Sequence, residues 1–151
     1  MQLAFVVLGP PKPWQRAAPG VRGRAHKPKA SRDYQRLVGT IAGLQRPPGW
    51  PLDALYEVTF VAYFPDARVR DKDNVTKNVF DGLKKVLFKD DNQVVSGDQG
   101  VEIDRDRPRL EVLVRVLTRD DAEQANRRRA RAIEVVREQA ASLARAHRAP
   151  A

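Results

Sequence analysis

The spacing of apolar residues changes along this chain, and each change predicts an element. Leu3-Ala-Phe-Val-Val-Leu8 is a short continuous apolar run closed by Gly9-Pro10-Pro11, the pattern of a buried strand that enters a loop. From Ser31 the apolar residues Tyr34, Leu37, Val38, Ile41 and Leu44 recur at helical spacing. Ser31 is the expected N-cap, and Pro47-Pro48-Gly49 stops the helix. Tyr56 to Phe64 is rich in aromatic and β-branched residues and predicts a strand. Val75, Val79, Leu83, Val86 and Leu87 mark one stripe of a helix over residues 74–87. Val94-Val95 and Val101 to Ile103 are weak strand signals, whereas Leu110 to Leu117 is a strong one. The expected order is β, α, β, α, β, β. That order describes an α+β protein, a single compact domain over 1–118 with a mixed β-sheet flanked by helices.

From residue 119 to 151 the composition shifts to Ala, Arg and Glu, predicting a helical extension with a narrow seam of Ile133, Val136, Ala140, Leu143 and Ala144. A solvated, partly disordered tail is the base expectation for it. The alternatives are phosphate contact through Arg127, Arg128, Arg129 and Arg131 or pairing of two subunits along the seam.

Charge narrows the function. Of 151 residues, 28 are basic and 19 acidic, giving +9 and a pI near 10.3. Such an excess favours a polyanionic partner, with nucleic acid the leading class. Between Lys12 and Arg36 eight basic residues stand against one acid, Asp33. The irregular, Pro- and Gly-rich part of that stretch, with Lys12, Arg16, Arg22, Arg24, Lys27 and Lys29, is the expected DNA-binding surface. Trp14 within it has two readings, a stack on an unpaired base or a plug in a subunit interface or the core. Trp50 and Tyr34 are read as packing residues. No cysteine is present, which removes disulfides, thiol nucleophiles and thiolate metal sites. His26 and His147 are too far apart in sequence to suggest a shared ligand motif, so a metal site here is built from oxygen and suits Mg²⁺ or Mn²⁺. Residues 3–8 are too short for a membrane or signal segment, and the expectation is a soluble cytoplasmic protein.

Against this basic background, residues 70–95 gather acids. Asp71 and Asp73 stand at the entry of the second helix, and an extended i, i+2 pair points to one side. Asp73 or Asn74 is placed to cap the helix, whose dipole favours an anion there. Lys77, one turn on, can neutralise a phosphate. Asp90 and Asp91 come after the helix. A helix over 74–87 is about 21 Å long and four extended residues span only about 13 Å. Closure of all the acids into one site thus needs an early helix end, a fold-back, or an acid from a partner subunit. Without a metal, the same acids read as a solvated charged turn, with Asp90-Asp91-Asn92 an ordinary turn composition. Asp81 reads as an ion pair on the helix surface with Lys77 and Lys85, with a supporting place behind the metal acids as the alternative.

The arrangement resembles the RusA family of Holliday junction resolvases over residues 1 to about 117. The matching pieces are Gly9-Pro10-Pro11-Lys12-Pro13 with Arg16, then Arg70-Asp71-Lys72-Asp73-Asn74, Lys77, Phe80-Asp81-Gly82-Leu83 and Asp90-Asp91-Asn92-Gln93-Val94-Val95, with Arg109-Leu110-Glu111-Val112 similar to the family's last strand. The resemblance implies that Asp71, Asp73 and Asp91 bind Mg²⁺, with Mn²⁺ substituting, and that Lys77 is catalytic, Asp90 being the lesser member of its pair. It implies a homodimer, encoded by a bacterium or phage, that cuts four-way junctions by paired symmetric nicks. The alternatives are a broader nuclease for flaps and forks and, from another class, a non-catalytic nucleic-acid-binding protein. One departure stands out. The family's lysine shortly after the Asp-Asp-Gln-Val segment is absent, and Asp98 to Asp106 offers Glu102 and Arg105 instead.

Overall fold

The computed structural model describes residues 1–15 and 28–146. Arg16, Arg22, Arg24 and Lys27 of the expected DNA-binding loop, and His26, lie outside the described residues. Two units are distinguished, Met1–Val116 and Leu117–Ala151.

The first unit is a mixed sheet with two helices. Its elements are β1 (Gln2–Leu8), α1 (Lys29–Gln45), β2 (Leu55–Phe64), α2 (Lys72–Leu83), β3 (Val94–Ser96), β4 (Gln99–Ile103) and β5 (Arg109–Leu117). Alternation decides burial in the long strands. Tyr56, Val58, Phe60, Ala62 and Phe64 of β2 face inward, as do Leu110, Val112 and Val114 of β5. These join Tyr34, Val38 and Ala42 of α1 and Val75, Val79 and Leu83 of α2 in one core. The strand order is β1-β5-β2-β3, with β4 also paired to β2. β1 runs antiparallel to β5, from Gln2 opposite Arg115 to Leu8 opposite Arg109. β3 and β4 lie in succession along β2, both parallel to it, so α2 is the crossover that links β2 to them. Gly97, between the two short strands, adopts φ +120°, and within β3 the register against β2 shifts, with Tyr56 opposite Val94 and Glu57 opposite Ser96. That interruption explains why their sequence signals are weak.

Four local expectations are corrected. β1 is buried on one face only: Leu3, Phe5 and Val7 are inside, while Ala4, Val6 and Leu8 lie on the opposite, open face of the sheet. Ser31 does not cap α1. The helix starts two residues earlier, after Pro28, and Ser31 is buried with its hydroxyl accepting from the backbone N–H of Gln15. α2 is capped by Asp71 rather than by Asp73 or Asn74. Asp71 and Asp73 are accordingly a cap and a first-turn residue, not two positions of an extended segment.

The fourth correction concerns the end of α2, at Leu83 instead of residue 87. Lys85 takes φ 67°, its N–H bonds to Phe88 O at 2.6 Å, and Lys84 bridges to Phe88. The chain turns there because Leu87 and Phe88 are fully buried, and a continued helix would present them on separate faces. α1 and α2 cross closely enough that a Cβ on Gly82 would lie 2.9 Å from Gln35 O, and one on Gly39 2.7 Å from Gly82 O.

In the second unit α3 (Arg119–Ala146) is a long helix entered through Thr118. The Thr118 hydroxyl accepts from the N–H of Asp121 at 3.1 Å, and the Asp121 carboxylate accepts from the Thr118 N–H at 3.1 Å. Ile133 and Val136 of the seam are exposed. Among the described residues no helix is long and apolar enough to cross a membrane.

Candidate active site

The candidate site residues lie in two acidic turns and one loop, and bonds that reach across the fold fix the loop and the second turn. The loop after β1 is tied down at four points. Gly9 N–H donates to Pro108 O, Asn78 Nδ2 donates to Lys12 O at 2.6 Å, Trp14 N–H donates to Asn74 O at 2.8 Å, and Gln15 N–H reaches Ser31 Oγ. Asn78 is fully buried, and its Oδ1 accepts from Gln35 Nε2 of α1 at 2.7 Å. An unpaired amide in that position would cost about 1–3 kcal/mol, so Asn78 locks the loop and both helices into one arrangement. The sequence reading passed over it because a lone Asn in a helix has no periodic signature.

The first acidic turn is the N-terminus of α2. Asp71 Oδ1 accepts from the N–H of Asp73 at 2.9 Å, and its Oδ2 accepts from Asn74 Nδ2 at 3.0 Å. Both aspartates are exposed, and the Asp73 carboxylate has no bond to another described residue. The positive end of the helix dipole lies beneath them. Arg70, just before, is turned away from the acids: it bonds Asp66 at 2.7 Å and sits 4.0 Å over the Phe64 ring. Lys77 is exposed, one turn further along, with its ammonium 4.0 Å from the centre of the Trp14 ring. Asp81 is not simply a surface partner of Lys77, since its carboxylate accepts from Gln35 Nε2 at 3.1 Å across the crossing of α1 and α2.

The second acidic turn, Asp90 to Gln93, leads into β3. Asp90 caps a 3₁₀ turn over Asp91–Gln93. Gln93 holds this turn from both ends. Its Oε1 accepts from the N–H groups of Lys89 and Asp90, and its Nε2 donates to Leu52 O and Ala54 O. Trp50 packs behind as expected, stacked on Tyr56 with its indole N–H on Leu87 O at 2.8 Å. Lys84, which the early end of α2 delivers, stands 3.0 Å from Asp90 and 3.9 Å from Asp91.

Those neighbours set the charge state of the turn. The hydrogen bond with Asp91, and then Lys84, hold the Asp90 carboxyl down at about 2, below its ordinary 3.8. Asp90 in turn raises Lys84 above its ordinary 10.5. A lowered carboxyl adds stability above its unfolded value and loses it as pH falls; a raised ammonium adds stability below its unfolded value and loses it as pH rises. Without divalent metal, the contribution of this turn should therefore be level from about pH 4 to about 10 and fade between about pH 4 and 2. Unfolding midpoints against pH should show that acid limb in the wild-type chain and a flatter one in Lys84→Met. Identical acid limbs would sink the assignment.

The donors suit a hard cation, since every one is a carboxylate. Asp71 and Asp73 come together, and Asp90 and Asp91 come together, but among the described residues no group of three or more acidic or histidine side chains is placed to share one ion. A pair of carboxylates completed by water and a substrate phosphate is the usual binding mode of Mg²⁺, so the Asp71–Asp73 turn fits that ion without a third acid from the same chain. Of the expected DNA-binding residues described, Lys12 is exposed and Lys29 pairs with Asp33 at 2.6 Å. Arg105, the residue nearest in type to the absent lysine, lies exposed between β4 and β5.

Comparison with known families places most of the chain. Residues 9–115 match the family described as Endodeoxyribonuclease RusA, a span that holds the loop, both acidic turns and Lys77. No curated protein matches the chain.

Proposed function

The chain belongs to the RusA endodeoxyribonuclease family, and on that footing we propose that it is a Mg²⁺-dependent nuclease that resolves four-way DNA junctions in recombination and repair. The observation that carries the proposal is the N-terminus of α2, where Asp71 and Asp73 stand at the positive end of a helix with Lys77 one turn above.

Asp71 and Asp73 would hold the ion, with Asp91 as the third carboxylate. When bound, Mg²⁺ supplies a Lewis acid for the scissile phosphate and lowers the pKa of a bound water. The rest falls to the chain. Asn74 and the Asp73 N–H keep the Asp71 carboxylate aimed, and the α2 dipole offsets the repulsion between the two acids. Lys77 places a positive charge where the phosphate becomes more negative as water attacks. A water oxygen joins phosphorus as the water gives up a proton, the P–O3′ bond breaks, O3′ takes up a proton from solvent, and the products are a 5′-phosphate and a 3′-hydroxyl. Gln93 and Lys84 hold Asp90 and Asp91 in their turn, with Asp90 and Asp81 in supporting places.

Asp91 would complete the site either from the same chain or from a second copy. A homodimer would also set two sites symmetrically on a junction and so pair the nicks. Lys12 and Lys29, with Arg16, Arg22, Arg24 and Lys27 from the same stretch, are the proposed phosphate contacts. The proposed setting is the cytoplasm of a bacterium, with the chain encoded by the host or a phage.

A labelled synthetic four-way junction, incubated with and without Mg²⁺ beside a flap and a matched linear duplex, tests this. Paired symmetric nicks in the junction alone are the expected result, with Mn²⁺ able to replace Mg²⁺. Equal cutting of flaps would instead make it a general branch nuclease, and tight binding with no cleavage in either metal would remove the catalytic role.

A further inference from the structure

Trp14 is placed in a way that its own polar chemistry does not explain. Its indole N–H is buried with no acceptor among the described residues, an arrangement proteins generally avoid. Its backbone, by contrast, is fixed from both sides: its N–H bonds to Asn74 O, and the flanking Lys12 carbonyl and Gln15 N–H are held by Asn78 and Ser31. What those bonds achieve is to press one face of the indole against the ammonium of Lys77, 4.0 Å from the ring centre. The indole has the strongest π-face of any side chain for a cation, and it holds the charge without forming a salt bridge. A carboxylate in its place would neutralise Lys77 and keep it from a phosphate. The face that Lys77 covers is closed to a stacking base.

We propose that Trp14 is a positioning residue for Lys77, holding its ammonium over the N-terminal turns of α2 while leaving its charge available to the scissile phosphate. The inference rests on the catalytic role of Lys77 proposed above. It also gives the loop after β1 a second duty: besides presenting basic residues to DNA, it sets the geometry of the reacting cation.

Single-turnover cleavage of a synthetic four-way junction in Mg²⁺ by the full chain tests it, beside junction affinity measured without divalent metal. Trp14→Leu should slow cleavage about fivefold, as expected for a cation–π contact to an exposed ammonium worth about 1 kcal/mol, and leave affinity within about twofold. Trp14→Phe, which keeps a π-face, should recover most of the rate. In a Lys77→Ala chain, Trp14→Leu should cost nothing further. A spectroscopic signature separates this from a merely structural role: the ring current should shift the Lys77 ε-methylene protons upfield in wild type, partly in Trp14→Phe and not in Trp14→Leu.

Normal cleavage by Trp14→Leu, an affinity loss equal to its rate loss, or an unshifted Lys77 methylene in wild type would each overturn the proposal while leaving Lys77 catalytic. Wild-type cleavage by Lys77→Ala would remove the catalytic reading itself, and the positioning role with it.

Discussion

Asp73→Asn is expected to abolish junction cleavage while leaving the fold and junction binding intact. The Asp73 carboxylate is exposed and has no bond to another described residue, and the bond that anchors its turn is made by its backbone N–H, which Asn retains. The substitution keeps size and shape and removes one negative charge from the pair of acids proposed to hold Mg²⁺. Loss of a metal ligand should cost about 4 kcal/mol of transition-state stabilisation, roughly a thousandfold in rate. Unfolding midpoints should match wild type, and junction affinity should hold or rise slightly, since one charge repelling the phosphates is gone. The neighbouring Asp71→Asn is a poorer probe. Asp71 caps α2 through one oxygen and accepts from Asn74 through the other, so an amide there sets NH₂ against NH₂ or frays the helix. Cleavage by Asp73→Asn at the wild-type rate would rule out this site.

Gly97→Ala should be the most damaging small substitution in the fold. Gly97 sits at φ +120°, and a Cβ there would lie 2.1 Å from Val58 O and 2.5 Å from Val58 C, both backbone atoms of β2 that cannot step aside. The interrupted edge formed by β3 and β4 would have to separate from β2, and the Asp90–Gln93 turn that leads into β3 would move with it. A loss of at least about 4 kcal/mol follows, the exceptional end of single substitutions, with a fall in Tm of at least about 10 °C. Gly49 provides the control: its φ is also positive, at +74°, yet nothing lies within 4 Å of the added Cβ, so Gly49→Ala should cost only about 1 kcal/mol. Equal midpoints for the two variants would show that the close approach to Val58 is not what fixes Gly97.

Much of this could be read along the chain because it depends on neighbours in sequence. The strand over Tyr56 to Phe64, the helical stripe through Tyr34 and Val38, and the strong last strand follow from periods of 2 and 3.6, which any isolated segment carries, although Leu37 and Leu44 of the expected stripe are exposed and Ala42 is buried in the core instead. Asp71, Asp73 and Lys77 fall at the start of α2 for the same reason, as does the family resemblance that rests on their spacing. The structure decided what depends on partners far away in sequence. α2 stops at Leu83 because Leu87 and Phe88 find burial elsewhere in the core, and that stop is what brings Lys84 to Asp90 and Asp91. Asn78 looks unremarkable in the sequence, and the contacts that Gln93 and Trp14 make cannot be read from it, because each acts through bonds or contacts to segments tens of residues away. β1 reads as uniformly apolar, yet one face lies open, because burial belongs to the packed sheet and not to the strand. Local periodicity thus determined which elements form and where the acids stand along them. Which groups meet was left to tertiary packing, since a hydrogen bond or a buried face needs a partner that no single segment contains.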